Sequence, residues 1–118
     1  MLFRSPLQAL VLLDDPQFLE AYRMLATNVI KTDAAVDARL TKVFRLATRR
    51  FPKPAEMTAM RDYYKAELAR YGNDRKAAEK LLTIGVTPLD PRVDVTKLAA
   101  LTNVTTVVMN TPDAYSLR

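Results

Sequence analysis

The chain has 118 residues, 49% of them apolar and 26% charged, a composition that folds rather than stays disordered. It contains neither cysteine nor histidine, which excludes disulfides, thiolate catalysis and metal sites built on those ligands, and removes the commonest general base. Eighteen Lys and Arg against 13 Asp and Glu leave a net charge of +5, which suits an acidic partner or an anionic surface without choosing between them.

Two glycines against seven prolines argue against a turn-rich β fold and against phosphate-cradling loops. Long stretches rich in Ala, Leu, Lys, Arg and Met argue for helices. No apolar stretch is long enough to cross a membrane. The opening "MLFRSPLQALVLLDD" lacks both a basic lead into a long apolar core and a small-residue cleavage site, so it is not read as a signal peptide.

The first helix is expected from Ser5 to Leu13. Ser5 serves as N-cap, Pro6 fits the first helical position, and Gln8 completes an S-x-x-Q capping box. The run Ala9 to Leu13 is apolar on every side, which predicts burial. Asp15 then caps a second helix, Pro16 to about Lys31, with Phe18, Tyr22, Leu25 and Val29 at helical spacing and Leu19, Ala26 and Ile30 widening the face. The apolar run breaks at the two aspartates because one helix ends there and another begins with almost no loop.

A third helix starts at Asp33 or Asp37 and reaches about Arg50, with Val36, Leu40, Val43, Phe44 and Ala47 as its apolar stripe. "FPKP" ends it, since a residue before proline avoids the helical region. The fourth runs from Pro54 to about Tyr71, with Met57, Met60, Tyr64 and Leu68 inward and Gly72 as its stop. Lys53 is an odd cap for it, although Glu56 in the first turn favours the helix dipole. The fifth covers about Asp74 to Ile84, and "GVTPLDPRVD" is a loop. Asp94 can cap the last helix, Val95 to Met109. By propensity alone "NVTTVVMN" reads as a strand. The spacing of Leu98, Leu101, Val104 or Thr105 and Val108, and the lack of a partner strand, select a helix. Thr111 and Pro112 suggest a final capped turn.

Three segments carry a resemblance. "SPLQALVLLDDPQFLEAYRMLA" resembles a T-P-L-Q-A-L-x-L-L-N-D-P-x-F-V-E-x-A signature. "ARLTKVFRLATRRFPKPAEM" is similar to R-I-x-x-A-F-R-L-A-L-G-R-x-P-T-x-E-E-L. "KLLTIGVTPLDPRVDVTKLAALTNVTTVVMN" is similar to L-L-x-V-G-E-x-P…D-x-x-E-L-A-A-W-T-x-V-x-x-x-L-L-N. These belong to the uncharacterised C-terminal domain of large exported Planctomycete-type cytochrome c proteins, a domain of unknown function. Asp14 stands where that family usually has Asn, Arg49 where it has Gly, Lys53 where it has Thr, and Leu101 where it has Trp. The resemblance implies the C-terminal part of a longer exported, periplasmic or cell-surface protein. It supplies no catalytic residue. The family's haem-binding C-x-x-C-H motif is absent here, so haem would belong to another part of the polypeptide, and no cofactor is expected on this chain.

The most suggestive constellation is basic: Arg39, Lys42, Arg45, Arg49, Arg50 and Lys53, with no acid between them. The first four positions at 39, 42, 45 and 49 fall along one helix flank, where a phosphate backbone or another anionic partner could bind. The plainer reading is a solvated or ion-paired face, and the resemblance places Arg45 and Arg50 at motif positions. Asp14 and Asp15 as a cation site fare poorly beside the capping role, because two neighbours rarely converge on one ion. Tyr63, Tyr64 and Tyr71 could form a stacking platform, but Met57, Met60 and Tyr64 fit a core face better. Asn103, Thr105, Thr106 and Asn110 make a polar flank on the last helix that faces either solvent or a partner.

The expected fold is all-α: one domain over residues 1–118, a bundle of five to six helices with a long loop near 85–94. The expected role is a non-catalytic helical interaction or structural module that packs against other domains of its polypeptide or a protein partner. A small nucleic-acid-binding module using the 39–53 flank is the alternative. An enzymatic role is not expected, since no nucleophile–base pair presents itself. The apolar "ALVLL" run predicts an exposed apolar patch on the isolated chain.

Overall fold

A computed structural model describes residues 16–83, 85 and 88–111. Among them are five helices and no strand: α1 (Pro16–Thr32), α2 (Val36–Thr48), α3 (Pro54–Asn73), α4 (Arg75–Leu82) and α5 (Val95–Met109). The all-α expectation holds. The first expected helix, the Asp15 cap and Pro112 lie outside the described residues.

The last helix is the centre of the bundle. α5 packs against each of α1, α2, α3 and α4, and Leu98 through Thr106 are buried without a break. A helix surrounded on all sides tolerates β-branched residues, because packing rather than intrinsic propensity decides its conformation. The strand-like "NVTTVVMN" is therefore helical, and its polar flank faces neither solvent nor a partner. The Thr105 hydroxyl donates to the Leu101 carbonyl at 2.8 Å and the Thr106 hydroxyl to Thr102 at 2.9 Å. Asn110 Nδ2 donates to the Thr106 carbonyl at 2.6 Å. Short hydroxyl side chains can bond back to their own helix, so they enter a core at small cost. A helical wheel cannot detect this.

α1 buries Leu19, Ala26 and Val29 of its expected face, with Arg23 added and Phe18 left out. Phe18 is half exposed and stacks on Tyr22 with ring centroids 6.2 Å apart. Arg23, only 3% exposed, lies 3.8 Å from the Glu20 carboxylate. The periodicity located the helix correctly but set its rotation by Phe18, since nothing in the pattern marks an arginine as an inward residue.

The caps follow the sequence in part. Asp94 accepts from the Lys97 N–H at 3.1 Å and starts α5; Asp74 accepts from the Ala77 N–H at 3.1 Å and starts α4. At α2 neither Asp33 nor Asp37 is the cap: Ala35 takes that position, without a side-chain bond. Asp37 sits in the first turn and pairs with Arg61 of α3. Gly72 does not stop α3, which runs two residues past Tyr71 to Asn73. The adjoining Asp74 closes one helix and opens the next.

The connection from α4 to α5 is pinned to α1 at two points. Asp90 binds Lys31 and accepts from the Arg92 side chain and backbone. Farther back, a Cβ on Gly85 would meet the Glu20 carboxylate at 2.5 to 2.8 Å, and Gly85 has φ 99°. Both the close approach and the left-handed backbone require glycine there. Leu89 and Val93 then tuck into the core ahead of Asp94.

Candidate functional site

The six basic residues singled out by the sequence sit on α2 and on the turn to α3. The turn is built by one residue in an unusual conformation. Arg49 follows the last residue of α2 at φ 63°, and its N–H donates to the Arg45 carbonyl at 2.8 Å. This is the left-handed helix stop that glycine normally occupies. Arg49 therefore places a side chain in a backbone region that non-glycine residues seldom adopt.

Arg50 comes next and locks the corner. Its guanidinium donates to both Glu56 oxygens at 2.8 Å and lies 4.9 Å from the centroid of the buried Phe44 ring. Glu56 also accepts from the Lys53 N–H at 2.8 Å, which gives the first turn of α3 one half of a capping box. Lys53 cannot supply the other half, because an ammonium has no lone pair to offer. The bond from Arg50 and that from the Lys53 N–H outweigh burial, so the Glu56 carboxyl titrates below its ordinary value.

The remaining cations divide. Arg39 turns toward the end of α1, where Nε donates to the Asp33 carbonyl at 2.6 Å and Nη2 to Ile30 at 3.4 Å. It satisfies carbonyls that a helix C-terminus leaves open. Lys42 reaches Asp33 at 3.3 Å and the Thr32 hydroxyl at 3.2 Å. The Arg45 guanidinium lies over the Phe51 ring at 4.1 Å from its centroid. Arg45, Arg49 and Lys53 are exposed, and none of the three forms an ion pair among the described residues. Thus half of the predicted flank is consumed by internal bonds, and half faces outward.

Apolar side chains accompany the outward half. Leu46 is half exposed and Phe51 is 65% exposed, so each presents a large apolar surface to water. Along α2 runs an open groove of about 600 Å³ lined by Asp33, Asp37, Ala38, Thr41, Lys42, Arg45 and Leu46. Its acids are neutralised: Asp33 by Lys42 and Asp37 by Arg61, whose guanidinium donates to both Asp37 oxygens at 2.8 and 3.0 Å. Elsewhere Phe18, Met24 and Val36 are the other large apolar residues that stay exposed among the described residues. The "ALVLL" run that predicted a patch lies outside them.

Sequence reasoning missed a second polar centre, between α3 and α5. The Glu67 carboxylate accepts from Arg70 at 2.9 and 3.0 Å and from Asn103 Nδ2 at 2.8 Å. The Tyr71 hydroxyl accepts from Arg70 at 2.7 Å and from the same Asn103 amide at 2.8 Å. Burial raises Glu67, but bonds from Arg70, Asn103 and Tyr63 more than reverse this and hold its carboxyl below the ordinary range. Burial, with the Glu67 charge beside it, pushes the Tyr63 hydroxyl up to about 12. Tyr64 and Tyr71 are likewise raised, chiefly by burial. The three tyrosines are core and network residues rather than a stacking platform. Glu67, Arg70 and Tyr71 stand at helical spacing on α3, a signal that could have been read; their link to Asn103 could not.

No group of His, Cys, Asp or Glu among the described residues could hold a metal ion, and no described helix is long and apolar enough to cross a membrane. The family model described as PSD1, protein of unknown function (DUF1553), matches residues 4–64. That span takes in the first two of the three resembling segments and stops before the third. No curated protein and no solved structure matches the chain.

Proposed function

The chain belongs to the PSD1 (DUF1553) family of proteins of unknown function, and from that premise we propose that it is a non-catalytic helical module that docks onto a protein surface. In this reading the docking surface is provided either by other domains of a longer exported polypeptide or by a separate protein. The cytochrome c architecture suggested by the resemblance gives the wider setting, with haem on another part of that polypeptide.

The observation that carries the reading is the surface of α2. Arg39, Lys42 and Arg50 are bonded inside the chain, whereas Leu46 on α2 and Phe51 in the turn that follows it project into water. Large exposed apolar side chains next to a completed core are what protein interfaces use. Of the six cations that a phosphate backbone would draw on, this fold has already bonded three, Arg39, Lys42 and Arg50. The electrostatics agree with a non-catalytic role: the displaced carboxylates Asp37, Glu56, Glu67, Asp90 and Asp94 all move down, away from neutral pH. A carboxyl group that serves as general acid or base near neutral pH is tuned the opposite way.

The test is the mass and cell fraction of the native polypeptide, read by immunoblot from source cells. A band far above 13.3 kDa in the exported fraction is the expected result. A soluble cytoplasmic band near that mass would overturn the exported, multidomain setting.

A further inference from the structure

We propose that the corner between α2 and α3 is a docking site for an acidic amphipathic protein segment, anchored on Phe51 and Leu46 and held by Arg45, Arg49 and Lys53. This rests on the interaction-module reading and names the partner's chemistry. The argument is charge complementarity around an apolar centre.

At the corner, every acid within reach of the chain's own bonds is already neutralised. Glu56 is held by Arg50 in a bidentate pair, and the groove acids Asp33 and Asp37 are held by Lys42 and Arg61. What remains uncompensated is positive: Arg45 and Arg49 one helical turn apart, and Lys53 two residues beyond Phe51. These cations flank Leu46 and Phe51, which are exposed. A partner that buries the two apolar side chains must come close to the three cations, so it needs carboxylates at its rim. A helix laying an apolar face into a groove, with acids at the edges, meets both demands. The groove along α2 continues from Leu46 toward Asp33 and has room for its backbone side.

A nucleic acid is the lesser fit. One face of Phe51 is already covered by Arg45 at 4.1 Å, which leaves a poor platform for successive stacked bases. The three outward cations are also fewer than a backbone-tracking groove ordinarily presents.

The experiment uses the full chain and fluorescence anisotropy with three labelled probes. One is an amphipathic peptide with glutamates on one face and leucines on the other; the second is its glutamine counterpart; the third is a thymidine oligonucleotide. The glutamate peptide is expected to bind at least about tenfold more tightly than the other two. Phe51→Ser and the double variant Arg45→Glu, Arg49→Glu should each weaken it by about tenfold. These side chains are exposed, and circular dichroism of each variant verifies that the fold persists. Binding that is undiminished in both variants overturns the site, and so does failure of the peptide at low salt. Preference for the oligonucleotide overturns the partner class in favour of nucleic acid. The immunoblot result is independent of these outcomes: a large exported polypeptide with no peptide binding would sink this site and leave the module reading standing.

Discussion

α5 and the α2–α3 corner are opposites in what they do with their side chains. α5 and its C-cap carry Thr102, Asn103, Thr105, Thr106 and Asn110, yet all are buried. The corner carries Leu46 and Phe51, yet both face water. Composition would assign the two regions the other way round. The difference lies in hydrogen-bond supply. Polar groups on α5 find acceptors on their own helix or on α3, so burial leaves few of them without a partner. On α5 the buried side-chain atoms without a hydrogen bond are the Thr102 hydroxyl and Asn103 Oδ1. At the corner, by contrast, the backbone turns through a left-handed residue and an X-Pro step, and Leu46 and Phe51 stay exposed. Position in the bundle, rather than polarity of the residue, decides exposure here.

The largest separation between the regions is expected from paired truncations. Leu101→Ala on α5 should cost about 3 kcal/mol, because the site is fully enclosed and cannot collapse. Leu46→Ala at the corner should stay within about 0.5 kcal/mol. Urea unfolding of both variants measures the difference, and equal losses would break the comparison.

Next in size is the polar link that joins α5 to α3. Asn103→Ala removes the bonds to Glu67 and Tyr71 and should cost about 2 kcal/mol. The same unfolding assay reads it; an effect below about 0.5 kcal/mol would mean that the network does not hold the two helices together.

Alkaline pH probes the same interface. With Tyr63 raised to about 12 and Tyr64 and Tyr71 also raised, the fold keeps phenol protons that the unfolded chain releases near its ordinary value of 10. This contribution is fully present below pH 10 and is lost as pH rises toward 12. Thermal melts across that window should fall, and a part of the tyrosinate absorbance should rise together with unfolding. A flat melting temperature would exclude the buried setting of these phenols. Acid acts in the opposite direction: the depressed carboxylates Glu56 and Glu67 stabilise the fold above their ordinary values and lose that contribution as pH falls through their lowered ones.

A small effect of the opposite sign is expected at the corner, where it is a gain. Arg49→Gly relieves a left-handed side chain, offset by the greater freedom of glycine when unfolded, for a net of about 0.5–1 kcal/mol. A loss of stability would show that the Arg49 side chain has a structural contact.

Much of the element order was legible. Proline at the first helical position and aspartate at the cap mark chain-local chemistry, and Pro16, Pro54, Asp74 and Asp94 all stand at the helix starts where they were expected. Where a cap depended on competition, as between Asp33, Ala35 and Asp37, local reading failed. Tertiary bonds to Lys42 and Arg61 had already taken both carboxylates. The candidate basic site was legible as a list of residues but not as a site. Arg39 and Arg50 look like their neighbours in sequence; only the approach of the α1 carbonyls and of Glu56 separates them from Arg45 and Arg49.

What the sequence determined by itself, then, is the helical class, the starts of α1, α3, α4 and α5, and the absence of cysteine and histidine chemistry. These follow from backbone preferences and residue identity, which act over a few neighbouring positions. The rotation of α1 that buries Arg23, the central place of α5 and the division of the basic flank were decided only by the tertiary structure. Each depends on which groups from distant parts of the chain arrive within hydrogen-bonding distance, and no local pattern encodes that meeting.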